Sequence, residues 1–145
     1  MNDTIELEIV SSQKVALTIK VKDLYIPAYY GEAGILQNHL PYISLLKMGE
    51  ISYEDLKGNR HYLFIEDGFL ESAKNKIVIV SDSIEYGEDM DEEAIASQLD
   101  DVNKKIKSSL KGEISPEKLQ EALELQKRLQ VKAGIVKKQK SKKSH

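Results

Sequence analysis

The chain has 145 residues, of which 41% are hydrophobic and 31% are charged, and its net charge is −3. This composition suits one or two small folded domains and excludes a chain that is disordered throughout. There is no cysteine, which excludes disulfides and thiolate metal sites. The three histidines, at positions 39, 61 and 145, do not have the spacing of metal ligands.

The charge is unevenly distributed along the chain. Residues 111–145 contain 10 basic and 4 acidic side chains, and from Lys127 onward there are eight basic residues and no acid. The part before residue 111 is net acidic. A basic C-terminal arm on an acidic body predicts a partner with an acidic surface.

We expect neither a membrane-spanning segment nor a targeting peptide. No apolar run approaches the length that crosses a bilayer, so any membrane association is expected to go through a partner. A strand pattern begins already at Thr4, which leaves no room for a signal or transit sequence.

Residues 1–87 show the alternation that is typical of β-strands. Between Thr4 and Val10, apolar residues alternate with glutamates, so one face of this strand is apolar. Turn signals such as Met48-Gly49 and Asp67-Gly68 separate further runs of this kind. About eight to ten short strands at this spacing predict an antiparallel β-sandwich or flattened barrel. The further strands are predicted over residues 15–21, 43–46, 51–55, 61–65, 69–73 and 77–80.

A group of turn-forming residues lies between two of these strands. Glycine adopts positive φ at no steric cost, so Gly31 and Gly34 are predicted to form tight turns around Glu32. We expect an exposed, rigid corner over residues 31–42 that presents one carboxylate, Glu32, and one imidazole, His39. The surrounding tyrosines either pack its rim or form an interface; they are Tyr25, Tyr29, Tyr30 and Tyr42.

The hydrophobic period changes after Gly87. Asp89, with Glu92 three residues later, is typical of a helix N-terminus, and Ser115-Pro116 is typical of a second one. Two helices over residues 88–136 are expected to pair antiparallel and, because each buries one narrow stripe, to open easily. The predicted stripes are Ile95, Leu99, Val102, Ile106 and Leu110 in the first helix, and Leu119, Ala122, Leu123, Gln126 and Leu129 in the second.

The basic end of the second helix is expected to lie beside the acidic start of the first. Antiparallel pairing brings Lys127, Arg128 and Lys132 towards the acids of the first helix. Exposed ion pairs contribute about 0–1 kcal/mol each, so this latch should be weak and salt-sensitive. Residues 137–145 are too polar to pack and are predicted to form a flexible basic tail.

The order of several motifs resembles the epsilon subunit of the F-type (rotary) ATP synthase, in its bacterial form. These motifs are Gly-Glu-x-Gly-Ile-Leu-x-x-His-x-Pro over residues 31–41, Gly49-Glu50-Ile51, Gly68-Phe69-Leu70-Glu71, and Val78-Ile79-Val80-Ser81-Asp82. An all-β part followed by a helical hairpin is also the layout of that family. The resemblance thus covers nearly the whole chain.

The chain departs from the family pattern at four places. Gln37 and Met48 stand where prolines are usual, and Asp67 stands where the family has a glycine. Some bacterial members bind ATP through an Ile/Leu-Asp-x-x-Arg-Ala motif, and here the arginine is replaced by Ala94. The cation that faces phosphate is lost. Asp91 is retained as a candidate for a weak ATP site, and we expect no cofactor.

The resemblance implies a non-catalytic rotor subunit of the proton-translocating complex. By resemblance, the β domain contacts the gamma subunit and the polar loops of the c-ring, and the hairpin contacts the alpha/beta catalytic head and restrains ATP hydrolysis. The location implied is the cytoplasmic side of the bacterial inner membrane, as a peripheral protein. Lys127, Arg128 and Lys132 are the candidates for the contact to the head. The candidates for the c-ring and gamma interface are Gly31, Glu32, Gly34, Ile35, His39, Pro41 and Tyr42.

The residues themselves agree with a non-catalytic role, because they include no nucleophile–base constellation, phosphate-binding glycine loop or metal cluster. Two alternatives remain open. One is a nucleic-acid-binding β-barrel whose basic arm, residues 127–143, contacts phosphates, although the barrel itself is acidic. The other is a small-molecule enzyme that uses Glu32 and His39 as acid and base, although no apolar pocket is apparent.

Overall fold

The computed structural model describes residues 4–12, 15–29, 31–36 and 41–143. The chain divides into two compact units, Met1–Gly87 and Glu88–His145. The described part of the first unit contains nine β-strands, and that of the second contains two α-helices. The predicted fold, an antiparallel β-sandwich or flattened barrel followed by a helical hairpin, is confirmed.

The strands form one continuous hydrogen-bonded sheet that folds over on itself. Their order is β1-β8-β7-β4-β2-β5-β6-β9, with β3 paired to β2 and an additional pairing of β1 with β2. All pairs are antiparallel except β1 with β8. The strands are β1 (Ile5–Val10), β2 (Val15–Ala28), β3 (Gly31–Leu36), β4 (Tyr42–Leu46), β5 (Gly49–Asp55), β6 (Arg60–Ile65), β7 (Gly68–Ala73), β8 (Lys76–Val80) and β9 (Ile84–Tyr86).

The core of this unit is built from alternate residues of each strand. Leu7 and Ile9 of β1 lie opposite Ile77 and Ile79 of β8, and all four side chains are at most 1% exposed. Successive side chains of a strand point to opposite faces, so this alternation buries the apolar set and leaves residues such as Glu6 exposed.

Strand β2 is longer than the sequence predicts, because it ends at Ala28 rather than Val21. Val21 and Leu24 are both fully buried although they are three residues apart. The pairing of β2 with β5 is irregular between Val21 and Asp23. A bulge of this kind changes which residues face inward, and it ended the period-two pattern on which the prediction rested.

The corner predicted over residues 31–42 begins with a strand, β3, which pairs with the second half of β2. Gly31, directly after the β2–β3 turn, has a φ of +134°, as expected for a turn glycine. The prediction of a tight turn at Gly34 is wrong. Gly34 lies within β3 opposite Tyr25, and a Cβ atom there would lie 2.8 Å from Tyr25 Cε1, so close packing is what requires a glycine.

The second unit is an antiparallel pair of helices, α1 (Glu92–Leu110) and α2 (Pro116–Lys143). Asp89 was predicted to cap α1, but it belongs to a 3₁₀ turn, Gly87–Asp89. The cap is Asp91, whose carboxylate accepts hydrogen bonds from the N–H groups of Glu93 and Ala94 at 3.0 and 3.2 Å. Ser115 caps α2 by accepting a bond from the N–H of Lys118.

The two helices share a thin apolar seam. Fewer residues are buried in this seam than the two predicted stripes contain. Leu123 is 42% exposed because it follows the buried Ala122 and is therefore rotated by about 100° around the helix. Leu110, the last residue of α1, is 85% exposed. The buried residues of the seam are Ile95, Val102, Ala122, Leu129 and Val136.

The predicted flexible tail is wrong over most of its length, since α2 continues without a break to Lys143. Gln139 is only 9% exposed, whereas Lys137 and Lys140 are exposed. Lysine and glutamine are good helix formers, so a polar segment can extend a helix whose preceding turns are already anchored by Leu129 and Val136.

The burial of β8 gives a test of the register. Replacing Ile79 with alanine should lower the free energy of unfolding by roughly 2–5 kcal/mol, because it leaves a cavity in the core. The adjacent Val78 lies on the opposite face and is partly exposed, so Val78→Ala should cost clearly less. Denaturant unfolding followed by circular dichroism measures both. A larger loss for Val78→Ala than for Ile79→Ala would place β8 one residue out of register, and equal losses would contradict the assigned burial.

Candidate functional site

Four of the residues predicted to contact a partner lie on β3, and they are divided between its two faces. Glu32 and Gly34 are exposed, whereas Ile35 is only 2% exposed and belongs to the core. The prediction of Ile35 as an interface residue is therefore wrong, because strand alternation turns it inward. Gly31 and Tyr42 are partly exposed and Pro41 is exposed. Two residues of the predicted corner and its rim, His39 and Tyr30, lie outside the described residues.

An exposed apolar surface, which we call the β4 face, lies around β4, which like β3 pairs with β2. Ile43 and Leu45 of β4 are 76% and 64% exposed, and Phe69 of β7 is 42% exposed. Leu45 lies opposite Phe69, which in turn lies opposite Val80 of β8. Large apolar side chains grouped on one sheet face are typical of a binding surface. We define the β4 face as Ile43, Leu45, Phe69, Val78 and Val80, with the exposed Glu71 between Ile43 and Val78.

The β4 face and the β2–β3 hairpin are joined through their backbones. The N–H of Tyr29, whose side chain is 63% exposed, donates to the carbonyl of Leu45 at 3.1 Å, and the N–H of Lys47 donates to the carbonyl of Pro27 at 2.9 Å. The apolar β4 face and the polar residues of β3 therefore flank the same strand, β2.

The sequence of β4 itself contains a signal for the β4 face. In the run Tyr42 to Leu46, Leu46 is buried while Ile43 and Leu45 point to the other face and are exposed. A strand with one solvated face should be polar at alternate positions. Apolar residues on both faces of β4 therefore indicate that something covers the second face.

A polar cluster on the outer face of β2, β5 and β6 was also missed. Arg60 Nη1 donates to Asp23 Oδ1 and Oδ2 at 2.9 and 3.1 Å, and Nη2 donates to Ser52 Oγ at 3.1 Å. The guanidinium carbon lies 5.0 Å from the centre of the Tyr25 ring. Asp23 and Arg60 are 37 residues apart, so no local pattern could have paired them.

His61 of β6 is partly exposed and makes specific contacts. Its Nε2 lies 2.8 Å from Asp55 Oδ2, and its ring stacks on Tyr53 with centroids 4.8 Å apart. Asp55 Oδ1 accepts bonds from the N–H groups of Lys57 and Asn59 in the β5–β6 turn. The His61 bond above all, and then the Asn59 bond, lower the pKa of Asp55 to about 2.

The basic residues predicted to act in the hairpin differ in their solvent exposure. Lys127 is exposed, and Arg128 and Lys132 are partly exposed. A charged pair between the helices joins Lys140 Nζ to Glu92 Oε1 at 3.3 Å. A second cross-helix bond runs from Gln126 Nε2 to Asn103 Oδ1 at 2.8 Å.

Two kinds of site are not found in the described part of the chain. No helix there combines the length and the apolar character needed to cross a membrane. Nor do the described His, Asp and Glu side chains form any group of three or more that could hold a metal ion. Asp91, the candidate for an ATP contact, uses its Oδ1 to cap α1.

Comparison with known proteins gives consistent matches. Residues 4–87 match the family model described as ATP synthase, Delta/Epsilon chain, beta-sandwich domain. An ATP synthase epsilon chain of Nitratidesulfovibrio vulgaris is 30% identical over 124 residues, which cover 86% of this chain and 91% of the relative. One from Dichelobacter nodosus is 33% identical over 119 residues, 82% of each chain.

A solved structure of the Euglena gracilis mitochondrial ATP synthase, comprising OSCP, F1 and the c-ring, contains a chain of similar fold. The TM-score is 0.69, and the match covers 97% of this chain and 82% of that chain. The sequence identity is 18%, so this likeness concerns the fold alone.

The lowered pKa of Asp55 predicts how stability depends on pH. Its folded pKa of about 2 lies below the ordinary value of 3.8, so the carboxylate stabilises the fold above about pH 4 and this contribution is lost as the pH falls towards 2. His61→Phe keeps the ring on Tyr53 but removes the nitrogen. The variant should lose less unfolding free energy than the parent between about pH 5 and pH 2.5. Identical acid curves, measured by chemical denaturation, would contradict the assignment.

Proposed function

Because this chain belongs to the ATP synthase epsilon chain family, we propose that it joins the gamma subunit to the polar loops of the c-ring and restrains ATP hydrolysis through its helical hairpin. The family match bears out the predicted resemblance. It also assigns the chain to a non-catalytic subunit of ATP synthase. The alternatives, a nucleic-acid-binding barrel and a small-molecule enzyme, have no comparable support.

The observation that carries this proposal is the β4 face. Ile43 and Leu45 expose most of their apolar surface, and covering one such side chain contributes roughly 1.5–3 kcal/mol. A gamma subunit offers an elongated helical surface that could cover a flat sheet face of this kind. We therefore assign the β4 face to the gamma contact. This extends the interface beyond the residues that the resemblance implied.

The c-ring contact is assigned to the exposed edge beside that face. Glu32 is exposed, and Gly31, Gly34, Pro41 and Tyr42 present further accessible surface. Together with His39, which the resemblance includes, they would make a polar, hydrated contact with the c-ring loops. The chain would then be peripheral at the cytoplasmic side of the bacterial inner membrane, held there by its partners.

The restraint of hydrolysis is assigned to the hairpin. Its seam has five buried apolar residues, and the Lys140–Glu92 pair is exposed on both sides, so it contributes only about 0–1 kcal/mol. A pair of helices held this weakly can separate and expose new surface. Lys127, Arg128 and Lys132 would then contact an acidic surface of the alpha/beta head. We assign no ATP site, because Asp91 caps α1 and Ala94 offers no cation.

The two contacts of the β unit can be separated by mutation. Leu45→Asp should weaken binding to the isolated gamma subunit by about tenfold or more, because a charge replaces a buried apolar anchor. Glu32→Lys should weaken attachment to membranes that carry the c-ring and gamma but lack this subunit. Neither change should move the melting temperature much, since both side chains are exposed.

Matched controls separate these effects from general changes of charge or polarity. Leu56→Asp changes another exposed leucine, 48% accessible, away from the β4 face. Glu113→Lys makes the same charge reversal in the turn between the helices. Both controls should bind like the parent. If Leu56→Asp were as harmful as Leu45→Asp, or if Glu32→Lys caused a large fall in melting temperature, the assigned contacts would be wrong.

The hairpin assignment predicts a change in hydrolysis by the reconstituted catalytic head. Changing Lys127, Arg128 and Lys132 together to alanine, or ending the chain after Gly87, should raise the rate of ATP hydrolysis. A matched triple change of Lys104, Lys105 and Lys107 in α1 removes the same charge and should leave the rate unchanged. Unaltered hydrolysis with the first two variants would remove the inhibitory role.

A further inference from the structure

Strand β3, which carries Glu32, has little support from the sheet. Among the described strands it pairs with β2 alone. Two of its six residues are glycines, which lose more conformational entropy on ordering than other residues. Its inward face is anchored by Ile35 and by the partly buried Ala33. The outward face, where Glu32 lies, needs another source of order.

The Tyr25 ring supplies part of that order. Tyr25 of β2 lies opposite Gly34 of β3, and the position of a Cβ atom on Gly34 would be 2.8 Å from Tyr25 Cε1 and 3.2 Å from Cδ1. The ring therefore rests directly on the backbone of β3, two residues from Glu32 and on the same face. Because Tyr25 is 37% exposed, burial alone holds the ring weakly.

Arg60 holds the ring from its other side. The guanidinium lies 5.0 Å from the ring centre, within the range of a cation–π contact. Its orientation is fixed by the hydrogen bonds to Asp23 and Ser52, and Asp23 in turn accepts the N–H of Glu54 at 3.1 Å. The Arg60 side chain is 26% exposed, so this arrangement is partly buried.

We propose that Arg60 is a positioning residue for the rotor contact: through the Tyr25 ring it presses on Gly34 and holds β3 so that Glu32 is presented to the c-ring loops. Arg60 belongs to β6, which does not pair with β3 in the described sheet. The Arg60 side chain thus links β3, through the Tyr25 ring, to β6 on the other side of β5. The inference rests on the proposed contact at Glu32, and it assigns a role to three residues outside that contact: Asp23, Tyr25 and Arg60.

The test uses the full chain and two independent ways of releasing the ring. Arg60→Met removes the guanidinium, and Gly34→Ala places a methyl group where the ring rests without touching Asp23 or Arg60. Tyr25→Phe is the conservative control, because it keeps the ring. Arg60→Lys keeps the charge but not the planar, multiply bonded geometry, and it should behave like Arg60→Met.

Two readouts are needed. The first is amide hydrogen exchange of residues 31–36, compared with residues 76–80 of β8. The second is attachment to membranes that carry the c-ring and gamma subunit, compared with Glu32→Lys. We expect Arg60→Met and Gly34→Ala each to speed exchange in β3 by about tenfold or more while β8 is unchanged. Arg60→Met should also weaken attachment, whereas Gly34 belongs to the assigned contact itself and its variant is judged by exchange alone. Combining them should add little to either alone, because both act on the same ring.

Several results would overturn the inference. Unchanged exchange in β3 would mean that the ring does not order the strand. Equal acceleration in β3 and β8 would mean that Arg60 stabilises the whole unit and has no positioning role. Faster exchange in β3 with unchanged attachment, while Glu32→Lys detaches the protein, would remove the role in presenting Glu32 and leave the proposed contact intact. If Glu32→Lys also stayed attached, the proposed contact itself would fail, and this inference with it.

Discussion

The register of β2 is the constraint on which the β unit depends. This one strand of 14 residues pairs with β1, β3, β4 and β5. Val21, Leu24 and Ile26 bury their side chains completely on one face. A slip of one residue would turn them to solvent, and it would also displace Asp23 and Tyr25 from the other face. The same register therefore fixes both the core and the cluster that supports β3.

The bulge in β2 explains how one strand serves both purposes. Up to Val21 the odd-numbered residues face inward, and from Leu24 onward the even-numbered ones do. The change turns Asp23 and Tyr25 outward, where they meet Arg60 and Gly34. Bulges commonly re-aim side chains near functional surfaces. Here the re-aimed residues lie behind the strand that we assign to the rotor contact.

The two units hold themselves together by different means, which suits their proposed roles. The β unit has a continuous core of branched aliphatic side chains and presents its contacts on strands that this core anchors. The helical unit relies on a narrow apolar seam and on polar links such as Gln126–Asn103. A rigid unit can transmit torque between the gamma subunit and the c-ring, whereas a weakly held hairpin can change its arrangement with the state of the enzyme.

The sequence by itself determined the family, the two-part layout and most of the strands, because these follow from local alternation, turn residues and helix caps. It also identified Glu32 as exposed. The sequence-based prediction failed at three places. The bulge in β2 interrupts the alternation of apolar residues, and Gly34 is required by packing against Tyr25 and not by a turn. The polar end of α2 is helical because the preceding turns of that helix are packed.

Only the tertiary structure decided which residues meet. In it, Ile35 lies in the core, Ile43 and Leu45 lie on one face with Phe69, and Arg60 contacts Tyr25 across an intervening strand. These contacts join segments that are distant in sequence, and the pairing of the strands fixes how those segments are aligned. The physical reason is that a strand's own residues determine which of them share a face, whereas the neighbouring strands determine what that face touches.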